Sequence, residues 1–287
     1  MTTFMNFANS TKPITLNGEK VVYKQYGNIT QLHNPTNEYI LTNELHHILP
    51  QNIPWVMQID GGLILQRFDH IDASFNNYLH SDIISKIDNI LNAFSSIQTI
   101  QCKEILRLNR LSLLEKFKRG EHRIRSITAN EKIQSHYKNI AKIVTDEAYQ
   151  DVIHGDLNMG NVLIGIDDEI KIIDFEYTSY GISDYDWASY LSNIIIHITN
   201  GKIFYDWVDN DNLSELIRVH IRYPDLFAQL FGFCILNQII FNSIAIPKNN
   251  YLNNVSNLLN IATKIIEQKL EIFVIESKEI VDLKYGI

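Results

Sequence analysis

Residues 152–164 read VIHGDLNMGNVLI, a short polar segment between two apolar runs. The apolar flanks are typical of buried strands or strand ends. Between them stand His154, Asp156 and Asn161, separated by glycines that allow the backbone to bend. The same side chains suit either an ordinary polar turn or a catalytic loop, and the rest of the chain has to decide between these two interpretations.

The composition limits the class of protein and its partners. The chain has 287 residues, of which 45% are hydrophobic and 20% charged, as in an ordinary globular protein of one large domain or two lobes. Its net charge of -8 argues against nucleic acid as a partner, because phosphate binding needs a basic surface. The two cysteines, Cys102 and Cys234, lack metal or redox spacing. We expect buried, reduced thiols, as in a cytoplasmic protein.

No segment of the sequence predicts contact with a membrane. The first residues, MTTFMNFANSTK, lack the basic start and apolar centre of a secretory signal. The most apolar stretch, residues 227–246, is interrupted by glutamine, asparagine and serine side chains. It therefore predicts a buried helix in a protein core rather than a membrane span.

The first part of the chain predicts a small antiparallel sheet with one helix. Residues 14–26 form two β-type runs around Asn17-Gly18, a strong signal for a hairpin. Residues 38–49 have apolar side chains at helical spacing and are followed by Pro50. A second hairpin is predicted from residue 55 to residue 68, with its turn at Asp60-Gly61-Gly62.

The remainder of the chain has a different pattern. Residues 73–149 are mainly helical in spacing, with a charged section at 115–125 that we expect to be exposed. A hairpin is predicted over 162–175, and a helical pattern resumes near residue 184. The sequence therefore predicts an α+β protein of two lobes, 1–68 and 69–287, with a hinge near residues 66–70. The first lobe is a small antiparallel sheet with one helix, and the second is mainly helical.

Five polar residues have the order and spacing that phosphoryl transfer requires. The H-x-D-x-x-x-x-N spacing of a kinase catalytic loop is present, with Asp156 as the base and Asn161 as a metal ligand. Asp174 follows the next strand, where a metal-binding carboxylate is expected. Lys24 ends the strand VVYK, and Glu38 near the start of the next helix can pair with it.

Each of these residues also has an ordinary structural interpretation. Lys24 alone suits a solvated strand lysine, Glu38 a helix-start carboxylate favoured by the dipole, and Asp174 a turn cap. A His-x-Asp turn is more often structural than catalytic. All the elements occur in the right order on suitable predicted strands and helices, however, and this combination favours phosphoryl transfer.

The segments HGDLNMGN, IIDFEYTSYGISDYDWASY and VVYK resemble the aminoglycoside phosphotransferase and choline/ethanolamine kinase superfamily, and bacterial choline kinases in particular. The resemblance runs from about Lys24 to Tyr190 and implies a protein-kinase-like fold, with ATP and Mg²⁺ as cofactors. One part departs from the family pattern, because no Gly-rich loop precedes Lys24. The segment FANSTKP, residues 7–13, takes that place, with Ser10 as a phosphate-binding candidate.

The resemblance implies a role for each matching residue. Asp156 matches the catalytic base, Asn161 and Asp174 match the Mg²⁺ ligands, and Lys24 with Glu38 matches the pair that binds the phosphates. Three further groups of residues also match the family. The resemblance implies that Gln66 and Phe68 meet the adenine. It also implies that His154 and Asp186 support the loop, and that Glu176 and Tyr177 bind the acceptor.

The identity of the phosphate acceptor is the open question. The resemblance favours a cationic amino-alcohol of the choline or ethanolamine type, since aromatic faces and a carboxylate bind quaternary ammonium. Trp207, in the polar segment FYDWVDND, is the candidate cage residue, whereas Phe231 and Phe233 are expected in the core. An aminoglycoside, another small alcohol or a sugar is the alternative.

Two other classes remain as weaker alternatives. A catalytically inactive kinase-like binding protein has no chemical reason to keep all five polar residues. A protein kinase is disfavoured because the chain has no A-P-E segment and no recognisable activation loop between Asp174 and Asp186. The expected partner is a small hydroxyl substrate, without nucleic acid or membrane, and the sequence contains no signal for an oligomeric state.

Overall fold

A computed structural model describes residues 9–27, 34–71, 75–199, 220–242 and 259. The first part is a four-stranded antiparallel sheet in the order β1-β2-β4-β3. Its strands are β1 (Ser10–Leu16), β2 (Glu19–Gln25), β3 (Val56–Ile59) and β4 (Gly62–Gln66). Helix α1 (Pro35–Ile48) contacts β3 and β4 and joins the two hairpins. Both predicted hairpins and the predicted helix are therefore confirmed.

The turn at Asn17-Gly18 sets the register of the first hairpin. Both residues have positive φ, 50° and 86°, which the tight turn of a two-residue hairpin requires. The turn pairs Ser10 with Gln25 and Thr11 with Lys24. Strand β1 therefore begins at Ser10, four residues before the β-type run that the sequence predicted from residue 14.

Helix α1 begins earlier than the apolar spacing indicated. The Asn34 side chain accepts a hydrogen bond from the backbone N–H of Asn37, and Pro35 occupies the first turn. Leu41 and Leu45 are fully buried and fix the face that the helix turns to the core. Glu38 consequently lies on the buried side, one turn before Leu41 and two turns before Leu45.

The second part is mainly helical. Its helices are α2 (Phe75–Tyr78), α3 (Ser81–Ala93), α4 (Ile100–Ile127), α5 (Glu131–Val144), α6 (Asp184–Thr199) and α7 (Pro224–Asn242). Four short strands form two ladders, β5 (Asp151–Ile153) with β8 (Ser179–Gly181) and β6 (Val162–Ile164) with β7 (Ile170–Ile172). The predicted α+β class is confirmed, and the division of the chain at residue 68 stays a prediction.

Helix α7 lies in the centre of the helical part. Phe231 and Phe233 are buried as expected, and the Phe233 ring packs on Phe117 of α4, with 5.0 Å between the centroids. Both cysteines are buried and unpaired, as the sequence predicts. Among the described helices, none has the length and apolarity needed to cross a bilayer. Trp207 lies outside the described residues.

One buried hydrogen bond joins helices α5 and α7. The Tyr137 hydroxyl donates to the side-chain oxygen of Asn237 at 2.5 Å, and Tyr137 packs over Gly120 of α4. We expect Tyr137→Phe to lower the free energy of unfolding by about 1–3 kcal/mol, because the buried Asn237 oxygen loses its donor. Urea unfolding measures this change. The exposed Tyr223 gives the matched control, since Tyr223→Phe should leave stability nearly unchanged, and equal losses in both variants would contradict the assignment.

Candidate active site

Lys24 of β2 lies at the centre of a cluster of carboxylates. Its Nζ donates to both Glu38 oxygens at 3.0 and 2.8 Å and to Asp174 Oδ1 at 2.7 Å. Burial opposes the charge of this lysine, but Glu38 and Asp174 outweigh that effect and raise its pKa. Lys24 is therefore a fixed cation that joins the sheet, helix α1 and the segment after β7.

Asp174 belongs to a compact group of oxygen donors. Single carboxylate oxygens of Glu38, Asp174 and Glu176 lie within 4.8 Å of one another. Asn9 donates to Glu176 Oε2 at 2.6 Å, and Lys24 Nζ lies 3.6 Å from the same oxygen. Burial and the charge of Asp174 raise the pKa of Glu176 to about 8. Such oxygen ligands suit a hard divalent cation such as Mg²⁺.

Two side chains hold the start of the loop in place. Asp186 accepts the backbone N–H groups of His154 at 2.6 Å and Gly155 at 2.9 Å. The His154 Nε2 lies 2.9 Å from the Ile173 carbonyl, and its Nδ1 accepts from the Asp156 N–H at 3.3 Å. This pattern fits a neutral imidazole with its proton on Nε2, and burial lowers the pKa of His154 accordingly. Both residues therefore support the loop.

The end of the loop is fixed by its asparagines. The side-chain amides of Asn158 and Asn161 both donate to the Asp156 carbonyl, at 2.9 and 2.8 Å. The backbone carbonyl of Asn161 accepts a hydrogen bond from the N–H of Ile173. This bond connects the loop to the chain just before Asp174. Donating the amide in this way leaves the side-chain oxygen of Asn161 as the atom suited to a metal.

Gly155 allows the loop to pass close to the backbone of Tyr177. Its φ is +79°, and a Cβ there would lie 2.3 Å from the Tyr177 carbonyl oxygen. We expect Gly155→Ala to lower the free energy of unfolding by at least about 1–3 kcal/mol through backbone strain, with the clash adding to the loss. Denaturant unfolding measures this change. The exposed Gly160 provides the control, because Gly160→Ala meets only the Asn158 side chain, at 3.1 Å. A tolerated Gly155→Ala would contradict the description of this loop.

The remaining candidate residues lie in the four-stranded sheet or just after it. Gln66 ends β4 and donates its backbone N–H to the Trp55 carbonyl at 3.0 Å. The Phe68 ring packs against Gly165, with Lys171 Nζ 5.2 Å from its centroid. Ser10 is exposed at the start of β1. The structure thus gathers Lys24 with the acidic cluster. It places Phe68 beside the β6–β7 ladder, whereas Gln66 and Ser10 lie in the four-stranded sheet.

Lys116 lies beside the loop, although the sequence patterns did not predict it as part of the site. It lies in the charged section 115–125, which was expected to be exposed, yet only 12% of its side chain is accessible. Phe117, Gly120 and Ile124 of the same section are also buried, so the expectation is wrong for this face of α4. Their spacing of three and four residues is the helical signal that could have revealed it.

Lys116 reaches the loop from α4. Its Nζ donates to Asp156 Oδ1 at 2.8 Å and lies 4.2 Å from the centroid of the Tyr177 ring. Burial disfavours the lysine charge, but Asp156 and Tyr177 outweigh it and raise the pKa of Lys116. The Asp156 carboxylate is 36% exposed, so it is both accessible and paired with a cation.

A comparison with known sequences finds a family match. A sequence model described as choline/ethanolamine kinase matches residues 55–219, which is more than half of the chain. The matched range contains the loop at 154–161, Asp174 and Lys116. No curated protein matches the sequence.

A comparison with solved structures finds the same overall fold. Plasmodium vivax ethanolamine kinase matches with a TM-score of 0.60 at 13% identity, over 91% of this chain and 84% of that one. Choline kinase from Cryptosporidium parvum Iowa II gives 0.59 at 13% identity, over 93% and 92%. A ternary complex of streptomycin, ATP and APH(2″)-IIa gives 0.54 at 13% identity, over 91% and 95%. The predicted protein-kinase-like fold is confirmed.

Proposed function

Because the chain belongs to the choline/ethanolamine kinase family, we propose that it transfers the γ-phosphoryl group of ATP to a hydroxyl group of a small molecule, with Mg²⁺. The observation that carries this proposal is the bonding of Lys24 to both Glu38 and Asp174, beside a loop that presents Asp156. One structural relative was solved with ATP bound, which supports ATP as the phosphate donor.

The proposed chemistry assigns one task to each residue. Asp156 accepts the hydroxyl proton while the acceptor oxygen forms its bond to the γ-phosphorus. The bond from that phosphorus to the bridging oxygen breaks, and ADP leaves with the electron pair. Lys24, held by Glu38, neutralises the charge of the phosphates that stay behind.

The residues present fit a magnesium ion. Asn161 and Asp174 are the proposed ligands, and the carboxylates of Glu38 and Glu176 lie close enough to Asp174 to offer further oxygens. Bound Mg²⁺ would supply positive charge against the phosphate oxygens. Two hydrogen bonds hold the proposed ligands in position. The Asn161 side-chain amide donates to the Asp156 backbone oxygen, and the Ile173 N–H donates to the Asn161 backbone oxygen.

We further propose where the nucleotide and acceptor bind. Backbone groups from Gln66 to Phe68, at the end of β4, would meet the adenine, and Ser10 at the edge of the sheet would face the phosphates. Glu176, Tyr177 and Trp207 are the proposed acceptor-side residues. The two buried, unpaired cysteines support a cytoplasmic protein.

The family supports a cationic amino-alcohol of the choline or ethanolamine type as the acceptor. The alternative is an aminoglycoside or another small alcohol, because the fold is shared with a streptomycin-bound relative. At 13% identity these proteins share the fold alone. A measurement of activity is therefore needed to decide between the two classes of acceptor.

An ATP-consumption screen tests the proposal. Purified protein would be given Mg²⁺-ATP with choline, ethanolamine, several aminoglycosides, thiamine, homoserine and simple sugars. We expect ADP formation that depends on one class of acceptor, with choline or ethanolamine first. Activity restricted to aminoglycosides would select the alternative. No consumption with any acceptor, together with no binding of Mg²⁺-ATP by calorimetry, would point to an inactive binding protein.

A further inference from the structure

Lys116 provides a buried positive charge next to the proposed base. It lies on α4, forty positions before Asp156, and its Nζ is 2.8 Å from Asp156 Oδ1. The side chain crosses the Tyr177 ring at 4.2 Å from the centroid, and 12% of it is accessible. Three separate segments of the fold therefore meet at this amine: α4, the loop after β5 and the segment after β7.

The surroundings of Lys116 indicate more than a surface ion pair. Exposed pairs contribute about 0–1 kcal/mol and do not fix a side chain. A lysine that loses most of its water is costly to keep charged unless a partner compensates it. Here the compensation comes from the one carboxylate that the proposed reaction protonates, and from an aromatic face.

The pair changes charge during the proposed reaction. Before transfer, the ammonium of Lys116 and the carboxylate of Asp156 cancel. When the acceptor proton moves to Asp156, the carboxylate becomes a neutral acid and the pair carries a net positive charge. The γ-phosphoryl group is moving to the acceptor oxygen beside Asp156 at the same moment, so the new positive charge appears next to it.

We propose that Lys116 is a positioning residue for phosphoryl transfer, which orients the Asp156 carboxylate toward the acceptor and leaves a positive charge beside the transferred phosphoryl group. This inference rests on the proposed function. The Tyr177 ring fixes the direction of the lysine stem, and Asn158 and Asn161 fix the Asp156 backbone from the other side. The base is thus held by one cation and two amides.

Charge-neutral and charge-preserving variants test the proposal. Lys116→Gln keeps a hydrogen-bond donor but removes the charge, and we expect kcat to fall by about 10²-fold, as for a misplaced catalytic group. KM for ATP should change little, since Lys24 and the acidic cluster remain. Lys116→Arg keeps the charge and a hydrogen-bond donor, although the head of arginine is planar, and it should lose less kcat than Lys116→Gln does.

An exposed lysine on the same helix supplies the matched control. Lys118→Gln should leave kcat, KM and the melting temperature as in the wild type. Melting curves of all variants separate a folding defect from a catalytic one. Wild-type kcat in Lys116→Gln, or equal losses of kcat and melting temperature in the Gln and Arg variants, would overturn the proposal.

The proposed function can fail separately. If the wild-type protein phosphorylates no acceptor, the proposed function is refuted, and the role of Lys116 in phosphoryl transfer is refuted with it. If the wild type is active and Lys116→Gln is equally active, only the role of Lys116 is refuted. The proposal predicts an active wild type, a Lys116→Gln variant with a much lower kcat, and a Lys116→Arg variant that keeps more activity than Lys116→Gln.

Discussion

Asp156→Asn is expected to lower the rate of phosphoryl transfer by about 10²- to 10⁴-fold, the range for loss of a general base. The amide has nearly the same shape, but it cannot accept the proton of the acceptor hydroxyl. The variant also leaves Lys116 without its anionic partner, which removes the proposed positioning. Steady-state kinetics with the acceptor found in the screen measures the loss.

The controls for this variant concern binding and folding. Calorimetry with Mg²⁺-ATP should give an affinity near that of the wild type, because Lys24 and Asp174 are unchanged. Asp167→Asn, at an exposed position in the turn between β6 and β7, makes the same chemical change away from the site and should keep full activity. A near-normal rate in Asp156→Asn would refute the assignment of the base.

Lys24→Met is expected to reduce both activity and stability. Its removal leaves the buried Glu38 and the partly buried Asp174 without their shared cation. Breaking a buried ion pair on one side costs about 3–5 kcal/mol of unfolding free energy. Phosphoryl transfer should be lost as well, because no residue then neutralises the phosphates from this side. Denaturant unfolding and kinetics measure the two effects.

A double variant separates the two roles of Lys24. Adding Glu38→Gln to Lys24→Met removes the uncompensated charge and keeps an acceptor for the Tyr26 hydroxyl. We expect stability to recover in part while activity stays absent. If the double variant regained activity, the lysine would have only a structural role.

The local parts of the fold were accessible from the sequence. The hairpin at Asn17-Gly18 follows from backbone conformations that two adjacent residues prefer, and the loop from His154 to Asn161 follows from fixed short spacing. Apolar periodicity gave α1 and α7, with α1 extended at its start by the Asn34 cap. These signals need no knowledge of distant contacts.

The parts that were missed depend on distant contacts. Lys116 meets Asp156 across forty residues, and its burial follows from how α4 packs on α7 and β8. Strand β8 has three residues and forms by pairing with β5. It is too short for an alternating apolar pattern to predict it from the sequence. Residues 10–13 showed no strand pattern of their own, and their extended conformation follows from pairing with β2. Strand pairing and helix packing therefore determine these features, which the local sequence pattern does not predict.

Phosphorus NMR of the reaction mixture tests the central claim most directly. Wild-type protein, Mg²⁺-ATP and the acceptor from the screen would be followed beside the Asp156→Asn variant. We predict that the wild type forms ADP and a phosphomonoester in equal amounts, with the phosphate coupled to the acceptor's carbon-bound protons, and that the variant forms almost none. Inorganic phosphate as the only new signal besides ADP, or equal product from both proteins, would contradict transfer to a hydroxyl group with Asp156 as the base.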